Sequence, residues 1–99
     1  MARTRRDDLE VCMEILEILL TSLEPVPITE LALNVRLKHQ KAKQLLNSME
    51  AVKWITSEVS MLDDNRFKDL YKILPEGINV LKLYSSKLES LFKELQKIE

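Results

Sequence analysis

The apolar positions of this chain fall into stretches with helical spacing and one stretch that alternates. Leu9, Met13, Leu16, Leu20 and Leu23 recur at steps of three and four, which lays them on one face of a helix, and Cys12 and Leu19 widen that face. Val11, Ile15 and Ile18 are apolar too, so only Glu10, Glu14, Glu17 and Thr21 make a polar stripe. A helix apolar around most of its circumference is covered on more than one side. One cover is the chain's own core; the other is a long helix of the same or a partner chain. Asp7 or Asp8 starts the helix, with acids in the first turn where the dipole favours them.

Pro25-Val26-Pro27 then breaks the chain. Ile28 reads as a very short strand, and Thr29 as the N-cap of a second helix from Glu30 to Val35 or Arg36. A turn near Leu37-Lys38 leads to a third helix, about His39 to Val52, with Ala42, Leu45, Leu46, Met49 and Val52 inward. Lys38 and His39 cap poorly, which leaves that helix start with spare N–H groups. Trp54 is expected as a core anchor at the end of the helix. Ile55, Val59 and Met61 alternate, Asp63-Asp64-Asn65 is a turn signal, and Phe67, Leu70, Tyr71, Ile73 and Leu74 return, so Ile55 to Leu74 reads as a β-hairpin. Pro75 suits the first turn of a last helix.

That last helix carries two overlapping apolar rows: Ile78, Leu81, Ser85, Leu88, Phe92, Leu95, and Leu81, Tyr84, Leu88, Leu91, Leu95, Ile98. Together they make a wide stripe rather than a narrow seam. At ~1.5 Å per residue the helix is roughly 35 Å long, about the width of a small domain, so its far end projects. A projecting apolar stripe needs a partner. The pattern predicts a head, residues 1–74, and a C-terminal dimerisation helix, residues 75–99, with Ile78, Leu81, Tyr84, Leu88, Leu91, Phe92, Leu95 and Ile98 at the interface of a homodimer.

Composition narrows this picture. A chain of 99 residues buries a modest core, so self-association stabilises it materially. One Gly and three Pro argue for few loops and mostly helix. A single cysteine, Cys12, excludes an internal disulfide, and a single histidine, His39, excludes most His-based catalytic and zinc arrangements. Neither a Gly-rich phosphate loop nor a nucleophile–base motif is present, so no enzyme, metal or cofactor is expected. With no signal peptide and no apolar run of transmembrane length, the chain is expected in the cytoplasm, away from membranes.

Net charge is −1, but its distribution is uneven. Residues 7–30 hold Asp7, Asp8, Glu10, Glu14, Glu17, Glu24 and Glu30 and no base. Residues 31–49 hold Arg36, Lys38, Lys41 and Lys43 and no acid. That island is the local field an anionic partner meets.

The order helix, short strand, helix, tight turn, helix, hairpin, long helix is that of a winged helix–turn–helix. The stretch from Ile28 to Ile55, ITELALNVRLKHQKAKQLLNSMEAVKWI, and LYKILPEGINVL from Leu70 to Leu81 resemble archaeal winged-helix DNA-binding proteins, above all the Sulfolobus ten-kilodalton chromatin-associated family. The resemblance implies an α+β, mostly α, fold. It also implies a homodimer whose terminal helices pair as an antiparallel coiled coil and hold two heads against duplex DNA. Members of that family are basic, whereas this chain is slightly acidic; Lys38-His39 and Lys53-Trp54 stand where a small cap and a Gly are usual.

Independently of the resemblance, stepping ~100° per residue from Ala42 puts Gln40, Gln44, Asn47 and Ala51 on the outward face of the third helix. Gln and Asn pair bidentately with adenine in the major groove. Lys41 and Lys43, flanking that face, together with Arg36, Lys38 and His39 near the helix start, suit backbone phosphate. Arg66 and Lys68 beside the hairpin turn reach for phosphate or the minor groove, or pair with Asp63, Asp64 and Asp69. Arg3, Arg5 and Arg6 form a basic arm. The expected function is a dimeric DNA-binding protein, a transcriptional regulator or a nucleoid-associated chromatin component, with near-neutral charge favouring a selective binder. The competing function is a winged-helix module that binds protein and not DNA, which fits the acidic first helix and acidic hairpin tip. A small-molecule effector leaves no motif.

Overall fold

The computed structural model describes residues 7–61 and 67–96, with the backbone alone for 88–92 and 94–96. Helix α1 spans Asp8–Thr21, strand β1 Val26–Pro27, α2 Ile28–Asn34, α3 His39–Ala51, β2 Ile55–Met61, β3 Phe67–Ile73 and α4 Pro75–Gln96. The three strands form one antiparallel sheet in the order β1-β3-β2. This is a winged helix–turn–helix fold.

Asp7 caps α1, its Oδ1 accepting from the Glu10 amide at 2.9 Å. At the other end the Thr21 hydroxyl donates to the Glu17 and Ile18 carbonyls, and the Ser22 hydroxyl to Ile18. These bonds lie in the last turn, where the carbonyls from Ile18 onward lack helical amide partners, and Ser22 follows as the C-cap. The inward face differs from the expected one. Val11, Cys12, Met13, Ile15, Leu16 and Leu19 are buried, whereas Leu9 and Leu20 are about half exposed and Leu23 wholly so. In so continuous an apolar run the spacing admits several faces; packing against β3, α3 and α4 selects the one centred on Ile15.

The segment after Pro25 also shifts. Val26 and Pro27, not Ile28, form the short strand, paired with Tyr71 and Leu70. Helix α2 starts at Ile28 with Pro27 at the cap position and no side-chain cap, so Thr29 does not cap it. Proline has φ −74° there, already suited to helix entry, and pairing with β3 holds Val26 in the core.

Helices α2 and α3 end in the same way. The Arg36 and Leu37 amides donate back to the Leu33 and Ala32 carbonyls; the Lys53 and Trp54 amides do so to Glu50 and Met49. Each pair is a Schellman closure, which needs a left-handed residue just after the helix. Arg36 (φ 58°) and Lys53 (φ 67°) supply it without being glycine. Val52, expected inward, follows the last turn of α3 and is exposed.

Ile15, Leu16, Leu31, Leu46, Met49, Ile55 and Tyr71 form the centre of the core. Trp54 packs against it half-buried, as expected of an anchor. The Trp54 carbonyl accepts from the Leu74 amide at 2.9 Å and so ties β2 to the start of α4. Gly77 lies over this joint. A Cβ there would collide with the Trp54 carbonyl oxygen and come within 2.9 Å of Ile73 Cγ1, so only glycine lets α4 sit this close.

Helix α4 packs along α1, Ile78 lining one groove between them with Leu20 and Tyr84 another with Glu10 and Met13. Leu81 is buried within the chain's own core, and Val80 and Tyr84 pack on its margin. Leu81 therefore belongs to the head and not to a surface left open for a second copy. Because α1 begins at Asp8, the part of α4 beyond about residue 88 has no α1 residue beside it, and the molecule extends 60 Å along its longest axis. The side chains of Leu88, Leu91, Phe92 and Leu95 and the whole of Ile98 lie outside the described residues.

Candidate nucleic-acid interface

Helix α3 presents two chemically different sides. Ala42, Leu45, Leu46 and Met49 point into the core, and Gln40, Gln44, Asn47, Ser48 and Ala51 are exposed. The expected amide row thus stands on one accessible face. His39 and Lys38 are exposed at the helix start, where Lys38 provides no side-chain cap.

The basic residues divide differently from expectation. Lys43 does not stand free beside the amide row. Its Nζ donates to the Tyr71 hydroxyl at 3.1 Å and to Asp69 Oδ2 at 3.4 Å, and lies 5.8 Å from the Tyr71 ring centre. The hydrogen bond to Tyr71 raises the Lys43 pKa above its ordinary value; desolvation opposes this, and the Tyr71 and Asp69 interactions reinforce it. Sequence spacing places Lys43 at the edge of the outward face; the hairpin folding against that edge turns it inward. Two helical turns further on, Glu50 Oε2 accepts from the Ser57 hydroxyl at 2.8 Å. Ser57 is the cross-strand partner of Tyr71, so Lys43 and Glu50 fasten α3 to one face of the hairpin.

Lys41 is also engaged. Its Nζ lies 3.2 Å from Asp8 Oδ2 at the start of α1. Arg36, Lys38 and Lys41 line an open groove of about 790 Å³ with Asp7, Asp8, Val11 and Leu37. Arg36 reaches the groove because the left-handed turn after α2 projects it there. Lys68 lies on the opposite sheet face from Tyr71 and Asp69, half-buried in a groove with Glu24 and Glu30, which makes it a poor partner for a phosphate lying on α3. Arg66, Asp63 and Asp64 fall outside the described residues.

The hairpin carries a feature the charge pattern concealed. Val59, Met61 and Phe67 share the sheet face of Tyr71 and are all exposed, with Met61 and Phe67 directly paired across the strands. Alternation in β2 announced an apolar face; only its inner part, Ile55, finds cover. Burial pushes the Cys12 thiol up, with the nearby Asp8 carboxylate adding to it and Lys41 opposing, so Cys12 is a packed thiol at neutral pH. Among the described residues no acid, His or Cys cluster could hold a metal, and no helix is long and apolar enough to cross a membrane.

No family model and no curated protein matches the chain by sequence. Its fold is matched closely. An assigned transcriptional regulator of Thermoplasma acidophilum superposes with a TM-score of 0.77 at 20% identity, over 92% of this chain and 91% of the other. A PadR family transcription regulator of Clostridium difficile gives 0.73 at 21%, over 88% and 95%. A mutant of Staphylococcus aureus MepR bound to an oligodeoxyribonucleotide gives 0.74 at 16%, over 90% of this chain but 64% of MepR. Each match covers more of the chain than residues 1–74 and so takes in part of α4 as well as the winged-helix head. This chain spans less than two thirds of the length of MepR.

Proposed function

We propose that this chain is a homodimeric, sequence-selective binder of duplex DNA, acting as a transcriptional regulator. The observation that carries this reading is the α3 surface. Gln40, Gln44 and Asn47 stand exposed on a helix whose other side is locked into the core and fastened to the hairpin. Such a helix meets the major groove as a rigid body, and its amides suit base edges. Arg36, Lys38 and Lys41 border the helix start and suit the flanking phosphates. The fold shared with MepR, one mutant of which is bound to an oligodeoxyribonucleotide, supports DNA as the partner. The part of α4 that carries Leu88, Leu91, Phe92 and Leu95 is the proposed dimer seam, with Ile98 of the following residues proposed to extend it. Near-neutral net charge favours selection over coating, so the chromatin role implied by the Sulfolobus resemblance ranks second.

Binding to a random duplex pool, with sequencing of the retained fraction, tests this. Enrichment of a two-fold-related motif is expected. With Arg36, Lys38 and Lys41 of each protomer meeting phosphate, the log–log salt slope of the dimer is roughly −5. A flat salt response and no enrichment would reject DNA binding and favour a protein-interaction module. The observation on that side is the exposed Val59, Met61 and Phe67 surface at the hairpin end.

A further inference from the structure

The sequence keeps every acid out of residues 31–49, yet the fold returns two of them to the recognition helix. Asp8 comes from the first residue of α1 and Asp69 from the middle of β3; their carboxylates lie 3.2 Å and 3.4 Å from Lys41 and Lys43. These are the only two lysines of α3, which has no arginine. Neither pair is well placed to stabilise the fold. The four side chains are 41–63% exposed, and ion pairs so open to water contribute little. Asp7, next to Asp8, is differently employed, since its carboxylate caps α1.

We infer that Asp8 and Asp69 are built-in counterions of the recognition helix, which hold down sequence-independent affinity for DNA and leave selection to the amide face. This rests on the proposed DNA-binding function and adds specificity-determining residues to it. The physical argument is ion exchange. Sequence-independent binding is driven by mobile counterions released when lysines meet phosphates. A lysine already neutralised by a tethered carboxylate has fewer mobile ions to release, and the carboxylate stays beside the incoming phosphate as a like charge. Base contacts through Gln40, Gln44 and Asn47 are untouched by this penalty, so a selected site overcomes it and a random one does not.

The test compares full-length wild type with Asp8→Asn plus Asp69→Asn, which preserve shape and remove both charges. Glu17→Gln plus Glu76→Gln is the control with the same change in net charge; both positions are exposed and lie outside the described contacts of α3. Each protein is titrated with a scrambled duplex across a salt series, and its melting is followed by circular dichroism. The Asp variant is expected to bind the scrambled duplex about tenfold or more tightly at low salt, with a slope steeper by about two to four units across the dimer. The control is expected to remain within about twofold of wild type, and all three to melt alike. Equal gains in both variants would overturn the inference in favour of net charge alone. A loss of affinity in the Asp variant would overturn it too, because Asp69 would then be positioning Lys43 for phosphate. Wild type binding with neither gain would leave the DNA-binding reading standing and reject the counterion role. Failure of all three proteins to bind any duplex at low salt would reject both.

Discussion

The α1–α4 side and the α3–hairpin side of the head differ in what they leave over after the core is closed. Along α1 and α4 the surplus is apolar: Leu9, Leu20 and Leu83 remain exposed while Leu16 and Leu81 are buried. On α3 the surplus is polar, and part of it is already paired, through Lys41–Asp8, Lys43–Asp69 and Glu50–Ser57. Surplus apolar area has no remedy within a small chain except a second surface, because one head offers too little cover. Surplus charge has a remedy close at hand, since a carboxylate from another element can approach at small cost. Along α1 and α4, then, apolar area is left for a second surface to cover, whereas the lysines of α3 already have ionic partners and the apolar surplus of that side lies on the hairpin, at Val59, Met61 and Phe67.

The strongest way to break that contrast is to remove the apolar surplus of α4. Leu88→Glu with Leu95→Glu places charges in the proposed seam, where burial without partners costs several kcal/mol. Sedimentation is expected to show a monomer at micromolar concentration with the circular dichroism of a folded head. An unchanged dimer would move the interface to the Leu20 and Leu83 surface.

Replacing Gln40, Gln44 and Asn47 by Ala acts on the polar side alone. Each useful base contact contributes about 1–3 kcal/mol of discrimination. Binding to a selected site should fall towards that of a scrambled duplex, with the salt slope and the dimer unchanged. Equal loss on both duplexes would mean that binding rests on charge and shape, which favours an architectural role.

Gly77→Ala strikes the joint the two sides share. The added methyl meets the Trp54 carbonyl and the Ile73 side chain, and backbone cannot move aside as a flexible side chain can. Overpacking of this kind costs about 1–3 kcal/mol, so the melting temperature should fall by roughly 4–24 °C. A melting temperature equal to that of wild type would show that α4 has room to lift away from the hairpin.

The smallest effect concerns the turn after α3. Lys53→Gly removes the left-handed strain at φ 67° and keeps the Schellman closure. Stability should rise by about 0.5–1 kcal/mol in chemical denaturation, the strain relieved outweighing the extra freedom of the unfolded chain. A lower stability would mean that the Lys53 side chain contributes more than its backbone conformation costs.

Much of this molecule was legible in one dimension. Pro75 marked the start of α4, alternation on either side of an Asp-rich signal foretold β2 and β3, and Ala42, Leu45, Leu46 and Met49 set the inward side of α3, so the outward position of Gln40, Gln44 and Asn47 followed. Periodicity suffices there because the helix is amphipathic, with one inward face to choose. It failed on α1, where apolar residues run around most of the circumference and only contact with β3, α3 and α4 could choose Ile15 over Leu9 and Leu20. It also failed at Arg36 and Lys53, because a left-handed turn is enforced by the elements it joins, α2 and α3 in one case and α3 and β2 in the other, and not by the residue that occupies it. Composition and spacing revealed which charges α3 carries. Their partners, Asp8 and Asp69, lie 33 and 26 residues away along the chain, and only folding could bring them within reach of Lys41 and Lys43.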